Sequence, residues 1–265
     1  MFQIIVCIKA VPDPQKACKI KIDPITKTLL RCEVPLVMNP LDRNALEAAL
    51  NIKEEIGAHV TIISMGPIEA VKIVKEGIAI GADHGVLLTD PAFAGADVYS
   101  TAFTLSKGIE KINDFDLVIC GMASSDAATE WVGPEIATFL SVPVVTKVKE
   151  IVHIKDKFLE LKTCIMNGYR RVRVMLPALI TVTRELNKPR ALSFSGIIKS
   201  RKKKIMLWGC NDINVSEKLV GLNGSPSIVT TLEPVVNKRN CEFITGCREE
   251  KADKLIDKLV EHGFL

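Results

Sequence analysis

The segment from Gly121 to Pro134 contains the residues best suited to hold a ligand. Its sequence, GMASSDAATEWVGP, is rich in small and polar residues, and it lies between an apolar run and a predicted helix. Small residues let a ligand approach the backbone closely. The free N–H groups at a helix start, together with the Thr129 hydroxyl, can hold a phosphate. The segment therefore predicts either a phosphate site or an ordinary strand-to-helix connection. The two commonest nucleotide-binding loops are excluded, because their glycine and lysine motifs are missing.

Asn39 begins a second segment with chemical potential, Asn39-Pro40-Leu41-Asp42. Asparagine is a favoured helix N-cap, proline fits the first helical position, and aspartate is favourable in the first turn. These residues predict the start of a helix. The Asn39 side chain could either cap that helix or contact a ligand.

Other residue types give no comparable pattern for catalysis or metal binding. The four histidines share no metal-ligand spacing, no serine occupies a nucleophile elbow, and the eight cysteines form no C-x-x-C pair. We therefore expect reduced, mostly buried thiols, as in a cytoplasmic protein. The basic run Lys199–Lys204, with Trp208, could bind nucleic-acid phosphates. A net charge of only +4 favours instead a solvated or partner-facing basic turn.

Composition and length indicate a globular protein with one large domain or a domain plus an appendage. The chain has 265 residues, of which 48% are hydrophobic and 25% charged, which excludes wholesale disorder and coiled coil. No apolar run reaches the ~20 residues that a membrane span needs. The N-terminal residues predict a first strand rather than a signal peptide, because no basic segment precedes them.

The first part of the chain alternates predicted strands and helices. A hairpin is predicted at Cys18–Cys32. The strands are Phe2–Ile8, His59–Met65, Gly85–Thr89 and Asp116–Cys120, and the helices are Asn39 onward, Gly66–Ile80, Asp97–Ile112 and Val132–Leu140. This order predicts an α/β fold with a doubly wound, mostly parallel sheet and helices on both faces. Ligands in such sheets bind beyond the carboxyl ends of the strands, near the switch point. Four segments meet that condition: Cys7–Asp13, Asn39–Asp42, Met65–Pro67 and Gly121–Gly133.

The pattern changes after Pro143. Short β segments follow, at Val148–Ile154, Phe158–Leu161, Val172–Met175 and Ala178–Val182, and periodicity is then lost from Asn187 to about Asn240. So long an unpatterned stretch is unusual inside a compact domain. The chain ends in a predicted amphipathic helix, Glu249–Glu261. We therefore expect an α/β domain at residues 1–184 and an extended C-terminal arm at residues 185–265, which lies on another protein.

These residues, taken in order, resemble the β subunit of electron transfer flavoproteins nearly from end to end. The motifs are Ile5-Val6-Cys7-Ile8-Lys9, Val11-Pro12-Asp13, Met38-Asn39-Pro40-Leu41-Asp42, Ala45-Leu46-Glu47, Ser64-Met65-Gly66-Pro67, Gly81-Ala82-Asp83, Gly95-Ala96-Asp97, Asp116–Gly121, Leu176–Val182, Leu186-Asn187-Lys188-Pro189-Arg190 and Gly224-Ser225-Pro226. Each motif alone is weak, but their order and spacing together are specific.

The resemblance implies a heterodimer with an α subunit that carries an FAD and is clasped by the arm. The β subunit would bind an adenine nucleotide, which is AMP in ordinary members. In electron-bifurcating members it is a second FAD that takes a hydride from NADH and splits the electron pair. Carried over by position, the nucleotide-contacting residues are Cys7, Asn39, Asp42, Met65, Gly66, Gly121, Asp126, Thr129, Val132 and Gly133. The segment Leu186–Ile198 matches the loop that docks on acyl-CoA dehydrogenases, with Leu186, Pro189 and an apolar anchor, Phe194.

The nucleotide loop departs from the family pattern. Met122 stands where a basic residue is common, and Ala123, Ala127-Ala128 and Glu130-Trp131 replace glutamine, Gly-Asp and Ala-Gln. Cys164 stands where many members have a glutamate that interacts with the mobile flavin domain. We expect FAD rather than AMP, because Asp126, Thr129, Val132-Gly133-Pro134 and Gly95-Ala96-Asp97 resemble bifurcating relatives.

The predicted function is electron transfer between a dehydrogenase and another redox partner, with redox activity only in the presence of the α subunit. Neither nucleic-acid binding nor membrane insertion is expected. The alternative is a non-redox adenine-nucleotide-binding module of similar fold, which would need neither the arm nor the segment Leu186–Phe194.

Overall fold

The computed structural model describes residues 1–19, 21–22, 29–30, 34–155, 157–230 and 241–265. They form two compact units, Met1–Thr230 and Thr231–Leu265. The strands are β1 (Gln3–Cys7), β2 (Ala10–Pro12), β3 (Lys21–Ile22), β4 (Leu29–Leu30), β5 (Leu36–Met38), β6 (His59–Met65), β7 (His84–Leu88), β8 (Leu117–Gly121), β9 (Val144–Lys155), β10 (Phe158–Ile165), β11 (Gly168–Met175), β12 (Ala178–Val182) and β13 (Met206–Trp208). The α-helices are α1 (Pro40–Ile56), α2 (Val71–Ile80), α3 (Val98–Ile112), α4 (Val132–Phe139), α5 (Phe194–Lys202) and α6 (Arg248–Glu261).

The first unit is built on a nine-stranded sheet with the order β11-β10-β9-β12-β8-β1-β6-β7-β13. The strands from β12 to β13 are all parallel to their neighbours, and β9 also pairs in parallel with β12, whereas β9, β10 and β11 pair antiparallel. Strand β1 pairs with β6 on one side and with β8 on the other. The chain therefore winds outward in both directions from β1, which confirms the doubly wound α/β prediction.

Alternating side chains of β1 explain why helices cover both faces. Ile4 and Val6 pack with apolar residues of α1 and α2, whereas Ile5 and Cys7 pack with residues of α3 and α4. Successive strand residues point to opposite faces, so a strand that is apolar throughout must be buried on both sides. The switch point between β1, β6 and β8 consequently lies at the centre of the sheet, with helices on either side.

The segment after Val182 is more ordered than its sequence indicates. Residues 194–202 form α5, and Met206–Trp208 form β13, which pairs in parallel with β7 at the sheet edge. Residues 185–230 thus belong to the same compact unit as the sheet, and the second unit begins at Thr231. Three-residue strands carry no periodicity, so the sequence could not show this pairing. The hairpin predicted at Cys18–Cys32 has one described pairing, β3 with β4, whereas Cys18 and Lys19 end a 3-10 helix, Pro14–Lys19. Its remaining residues lie outside the described ranges.

The second unit contains the predicted C-terminal helix, α6, in which no residue is buried. The Cys247 backbone N–H donates to Glu250 Oε2 at 3.1 Å and so caps the helix start. Among residues 241–265, the exposed large apolar residues are Phe243, Leu255, Ile256, Val260, Phe264 and Leu265. Within the described ranges, no helix is both long and apolar enough to cross a membrane.

Candidate functional site

The predicted site segments meet at the switch point of the sheet. Cys7 ends β1 and pairs in register with Cys120 of β8, while Ile8 donates its backbone N–H to the Ile63 carbonyl of β6. The Asn39 N–H donates to the Lys9 carbonyl at 2.9 Å, which places the start of α1 beside the end of β1. The carboxyl ends of three strands and one helix start therefore meet at one place, which is called the crevice because sheets of this kind bind their ligands there.

Asn39 fixes the loop that follows β8. The residue is buried, and its Nδ2 donates to the Ala123 carbonyl at 2.9 Å while its Oδ1 accepts the Ser125 N–H at 3.1 Å. It makes no side-chain cap hydrogen bond to α1, although the sequence fits an N-cap. Asn39 thus holds the backbone of the predicted phosphate loop in place, which is a supporting role at the site.

The buried Asp42 carboxyl group accepts hydrogen bonds from two residues that border the crevice. Its Oδ2 accepts the Lys9 N–H at 2.8 Å, and its Oδ1 accepts Asn39 Nδ2 at 3.0 Å. A Cβ on Gly121 would lie 2.3 Å from Asp42 Oδ1, so only glycine permits this close approach of β8 to α1. Burial raises the Asp42 pKa from 3.8 to about 7, although the hydrogen bonds and the charge of Lys9 act against it. Asp42 contributes to the site by joining β1 to α1.

The raised pKa of Asp42 predicts a pH dependence of stability. The folded chain binds more protons than the unfolded chain between 3.8 and about 7, so the Asp42 contribution to the unfolding free energy falls as pH rises through that range. Asp42→Asn should remove about 2 kcal/mol of the decline between about pH 5 and about pH 8. Urea unfolding of the wild-type and variant heterodimers at both pH values measures this. An identical decline in both proteins would contradict the assignment.

Two ion pairs hold the middle of the loop. Lys9 Nζ lies 2.7 Å from Asp126 Oδ1, and Lys147 Nζ lies 2.8 Å from Glu130 Oε2. Thr129, between the two carboxylates, is exposed. Ala128 and Glu130 adopt left-handed backbone conformations, with φ of 52° and 63°. The loop is therefore held in an uncommon conformation that presents its centre to solvent.

The start of α4 offers free backbone donors. Trp131, at the N-cap position, makes no side-chain cap hydrogen bond. In the described part of the chain, the N–H groups of Val132 and Gly133 donate to no acceptor. A Cβ on Gly133 would lie 2.5 Å from Thr181 Cγ2, so this glycine brings the helix start close to β12. Free donors at a helix start fit a phosphate group.

The remaining predicted contacts are less accessible. Cys7 and Cys120 are buried, and the neighbouring Cys7 thiol together with burial raises the pKa of Cys120. The two thiols lie side by side near the carboxyl ends of β1 and β8. Met65 is half-buried, and the Gly66 N–H already donates to the Leu88 carbonyl at 3.0 Å. Gly66 is therefore left with no free backbone donor for a ligand.

The predicted docking segment, Leu186–Ile198, is anchored on α1. Asn44 and Asn187 exchange side-chain hydrogen bonds of 2.9 to 3.0 Å, and Arg190 Nε donates to Glu47 Oε2 at 2.9 Å. Leu186 is partly buried against the core, and Pro189 is half-buried. Phe194, the first residue of α5, is 80% exposed. Leu186 and Pro189 thus belong to the base of this segment, and Phe194 is the side chain it displays.

Sequence reasoning missed the roles of Lys9, Lys147 and Arg190. A single basic residue after an apolar run forms no sequence pattern that would reveal its role. Its partner can also lie far along the chain, as Asp126 does for Lys9. No group of three or more potential metal ligands occurs within the described ranges.

Comparison with known proteins identifies the family. A family model described as "Electron transfer flavoprotein domain" matches residues 26–211. The chain is 42% identical over 257 residues to the electron transfer flavoprotein subunit beta of Thermoanaerobacterium thermosaccharolyticum, covering 97% of each chain. It is 41% identical over 262 residues to the subunit of the same name from Clostridium acetobutylicum, covering 99% of each.

A third relative belongs to a named reductase complex. The chain is 42% identical over 265 residues to the caffeyl-CoA reductase-Etf complex subunit CarD of Acetobacterium woodii, covering 99% of this chain and 100% of that one. Each of the three matches covers 97% or more of this chain. The chain belongs to the electron transfer flavoprotein family, as a β subunit.

Proposed function

We propose that this β subunit binds FAD in the crevice at the switch point and works only as a heterodimer with a flavoprotein α subunit that carries a further FAD. The heterodimer passes electrons between an acyl-CoA-type dehydrogenase and a second redox partner. With a flavin in each subunit, the route would be electron bifurcation from NADH. The observation that carries the proposal is the helix start with free N–H groups of Val132 and Gly133, beside a loop fixed by Asn39.

The crevice residues would have two different roles in nucleotide binding. The N–H groups at the start of α4 and the Thr129 hydroxyl would contact phosphate, while Asn39 and Asp42 keep the loop and β1 in position. The bound flavin would supply the redox chemistry. The chain's own residues orient it and set its surroundings.

A buried carboxylate oxygen without a hydrogen-bond partner in the described part of the chain lies in the same helix turn as the proposed phosphate donors. It supports the proposal that the ligand is a nucleotide, whose hydroxyl groups could donate to it. Glu135, in the first turn of α4, has a buried Oε2 with no partner among the described residues. Burial, and then the charge of Asp97, raise the Glu135 pKa. A buried acceptor without a donor is costly, so a ligand hydroxyl there would be stabilising. Trp131, which is 63% exposed, adds an aromatic face next to the same helix start.

FAD is favoured over AMP by the loop residues and by the relatives. Asp126, Thr129 and Val132-Gly133-Pro134 are retained from the pattern that resembles bifurcating members. The similarity to a subunit named for a caffeyl-CoA reductase complex supports an acyl-CoA-type redox partner. A non-redox nucleotide module would not account for the anchored segment that displays Phe194.

Chromatography of the nucleotides released on denaturing the co-purified heterodimer tests this proposal. Two FAD per heterodimer are expected. One FAD and one AMP would keep the site but reverse the choice of nucleotide. One FAD and no second adenine nucleotide would refute the nucleotide site in this subunit.

Phe194 is the proposed anchor for the dehydrogenase. Its side chain is 80% exposed at the start of α5, and the Ser193 hydroxyl caps that helix by accepting the Gly196 N–H at 3.0 Å. Aromatic anchors buried at an interface often contribute ~2 kcal/mol or more. We expect Phe194→Ala to lower dehydrogenase-coupled flavin reduction at least about tenfold, since about 1.4 kcal/mol is a decade.

Leu219→Ala is the matched control for this variant, because Leu219 is also largely exposed, at 55%, but lies outside the docking segment. Both variants should keep wild-type flavin content. Equal coupling in Phe194→Ala and Leu219→Ala would show that Phe194 is not an anchor.

A further inference from the structure

The nucleotide loop lacks a basic side chain of its own. Between residues 121 and 134 the charged side chains are Asp126 and Glu130, both of them carboxylates. A phosphate bound by backbone donors alone would lack the charge-assisted hydrogen bond that a cation supplies. The charge must then come from outside the loop.

We infer that Lys9 is the phosphate-binding cation of this subunit; this rests on the proposed nucleotide site. Lys9 follows β1 at the switch point, and its side chain reaches the loop. Its Nζ lies 2.7 Å from Asp126 Oδ1 and 3.4 Å from Ser124 Oγ. The ligand would be the phosphate group of an adenine nucleotide.

The backbone of Lys9 is fixed, whereas its ammonium group remains accessible. The Lys9 N–H donates to Asp42 Oδ2 at 2.8 Å, and its carbonyl accepts the Asn39 N–H at 2.9 Å. The side chain itself is 45% exposed. An ammonium group has three N–H donors, so one remains for a phosphate after the contacts with Asp126 and Ser124. The buried Asp42–Asn39 pair thus positions a cation at the rim of the crevice.

Lys147 provides a natural comparison. It is also 45% exposed and also pairs with a loop carboxylate, Glu130. Lys147 lies on β9, however, whereas Lys9 follows β1, between β6 and β8, where the crevice opens. Both lysines would brace the loop, but only Lys9 is placed at the switch point. Comparing variants of Lys9 and Lys147 therefore separates the effect of losing an ion pair to the loop from the effect of losing a phosphate contact.

Titration calorimetry with AMP and with adenosine tests the assignment. The protein is the heterodimer from which the exchangeable nucleotide has been removed in concentrated potassium bromide. Lys9→Gln should weaken AMP binding about tenfold, or about 1.4 kcal/mol, and leave adenosine binding within about twofold. Lys147→Gln should weaken AMP binding by less than about threefold. Met122→Lys added to Lys9→Gln should restore AMP affinity, because it returns a cation to the loop.

Asp126→Asn is expected to change AMP affinity in the opposite direction from Lys9→Gln. It removes the same ion pair but leaves Lys9 in place and frees its charge, so AMP should bind more tightly. Equal losses for AMP and adenosine in Lys9→Gln, or weaker AMP binding in Asp126→Asn, would overturn the inference and leave Lys9 as a brace. Wild-type heterodimer that binds neither AMP nor FAD in this subunit would refute the proposed function itself, and the inference with it.

Discussion

Deletion of residues 231–265 is expected to abolish co-purification of this chain with its α subunit. The Met1–Thr230 unit contains the whole nine-stranded sheet and both apolar clusters, so it should still fold. The deleted unit has a helix, α6, without a buried residue, and Leu255, Ile256 and Val260 are about half exposed on it. An amphipathic helix with so much exposed apolar surface gains stability when a partner covers it. Tagged pull-down after co-expression measures the loss.

Two point variants test whether retention of the α subunit depends on the apolar face of α6 or only on the presence of residues 231–265. Ile256→Lys places a charge on the apolar face of α6, whereas Asp257→Lys places the same charge on its polar side. We expect only the first to weaken retention of the α subunit. If the chain of residues 1–230 retains the α subunit as well as the full chain does, residues 231–265 do not clasp it.

Gly121→Ala is expected to remove the nucleotide from this subunit. The added Cβ would lie 2.3 Å from Asp42 Oδ1 and 2.8 Å from the Leu41 carbonyl carbon, so β8 and α1 would have to move apart. Overpacking of this kind costs about 1–3 kcal/mol in cores. Here the shift would also displace the loop that Asn39 fixes. We expect nucleotide affinity to fall at least about tenfold.

Gly108→Ala is the control for general destabilisation. Its Cβ would lie 2.8 Å from Ile63 Cδ1 and 2.9 Å from Leu88 Cδ1, within the core and outside the crevice. Thermal unfolding and nucleotide content of both heterodimers are compared. Lower stability in both variants, with nucleotide lost only from Gly121→Ala, is the expected result. Full nucleotide content in Gly121→Ala would show that the close approach of β8 to α1 does not shape the site.

The strands and helices of the sheet could be predicted from the sequence because each one satisfies a local rule. The buried strands are continuous apolar runs, and the helix start at Pro40 follows an asparagine and carries proline and aspartate in its first turn. The place of β13 could not be predicted, since three residues at a sheet edge depend on pairing with β7, more than one hundred residues earlier.

The meeting of the four candidate segments was predictable, whereas the contacts that their residues make were less so. The carboxyl ends of parallel strands converge by topology, so the four segments could be named in advance. The sequence could not decide whether Asn39 caps its helix or holds a loop. The answer depends on where the fold places Ala123 and Ser125, to which the Asn39 side chain is hydrogen-bonded. Ion pairs such as Lys147 with Glu130 depend on a strand, β9, whose pairing is irregular, and no sequence pattern encodes that contact.

Native mass spectrometry of the purified complex tests the central claim most directly, because it reports the partner and the bound nucleotides in one measurement. The expected mass is that of one copy of this chain, one α subunit and two FAD molecules. Gly121→Ala should lose one FAD from that mass and keep both polypeptides. A complex with one FAD and no second adenine nucleotide, or this chain assembled without an α subunit, would contradict the account.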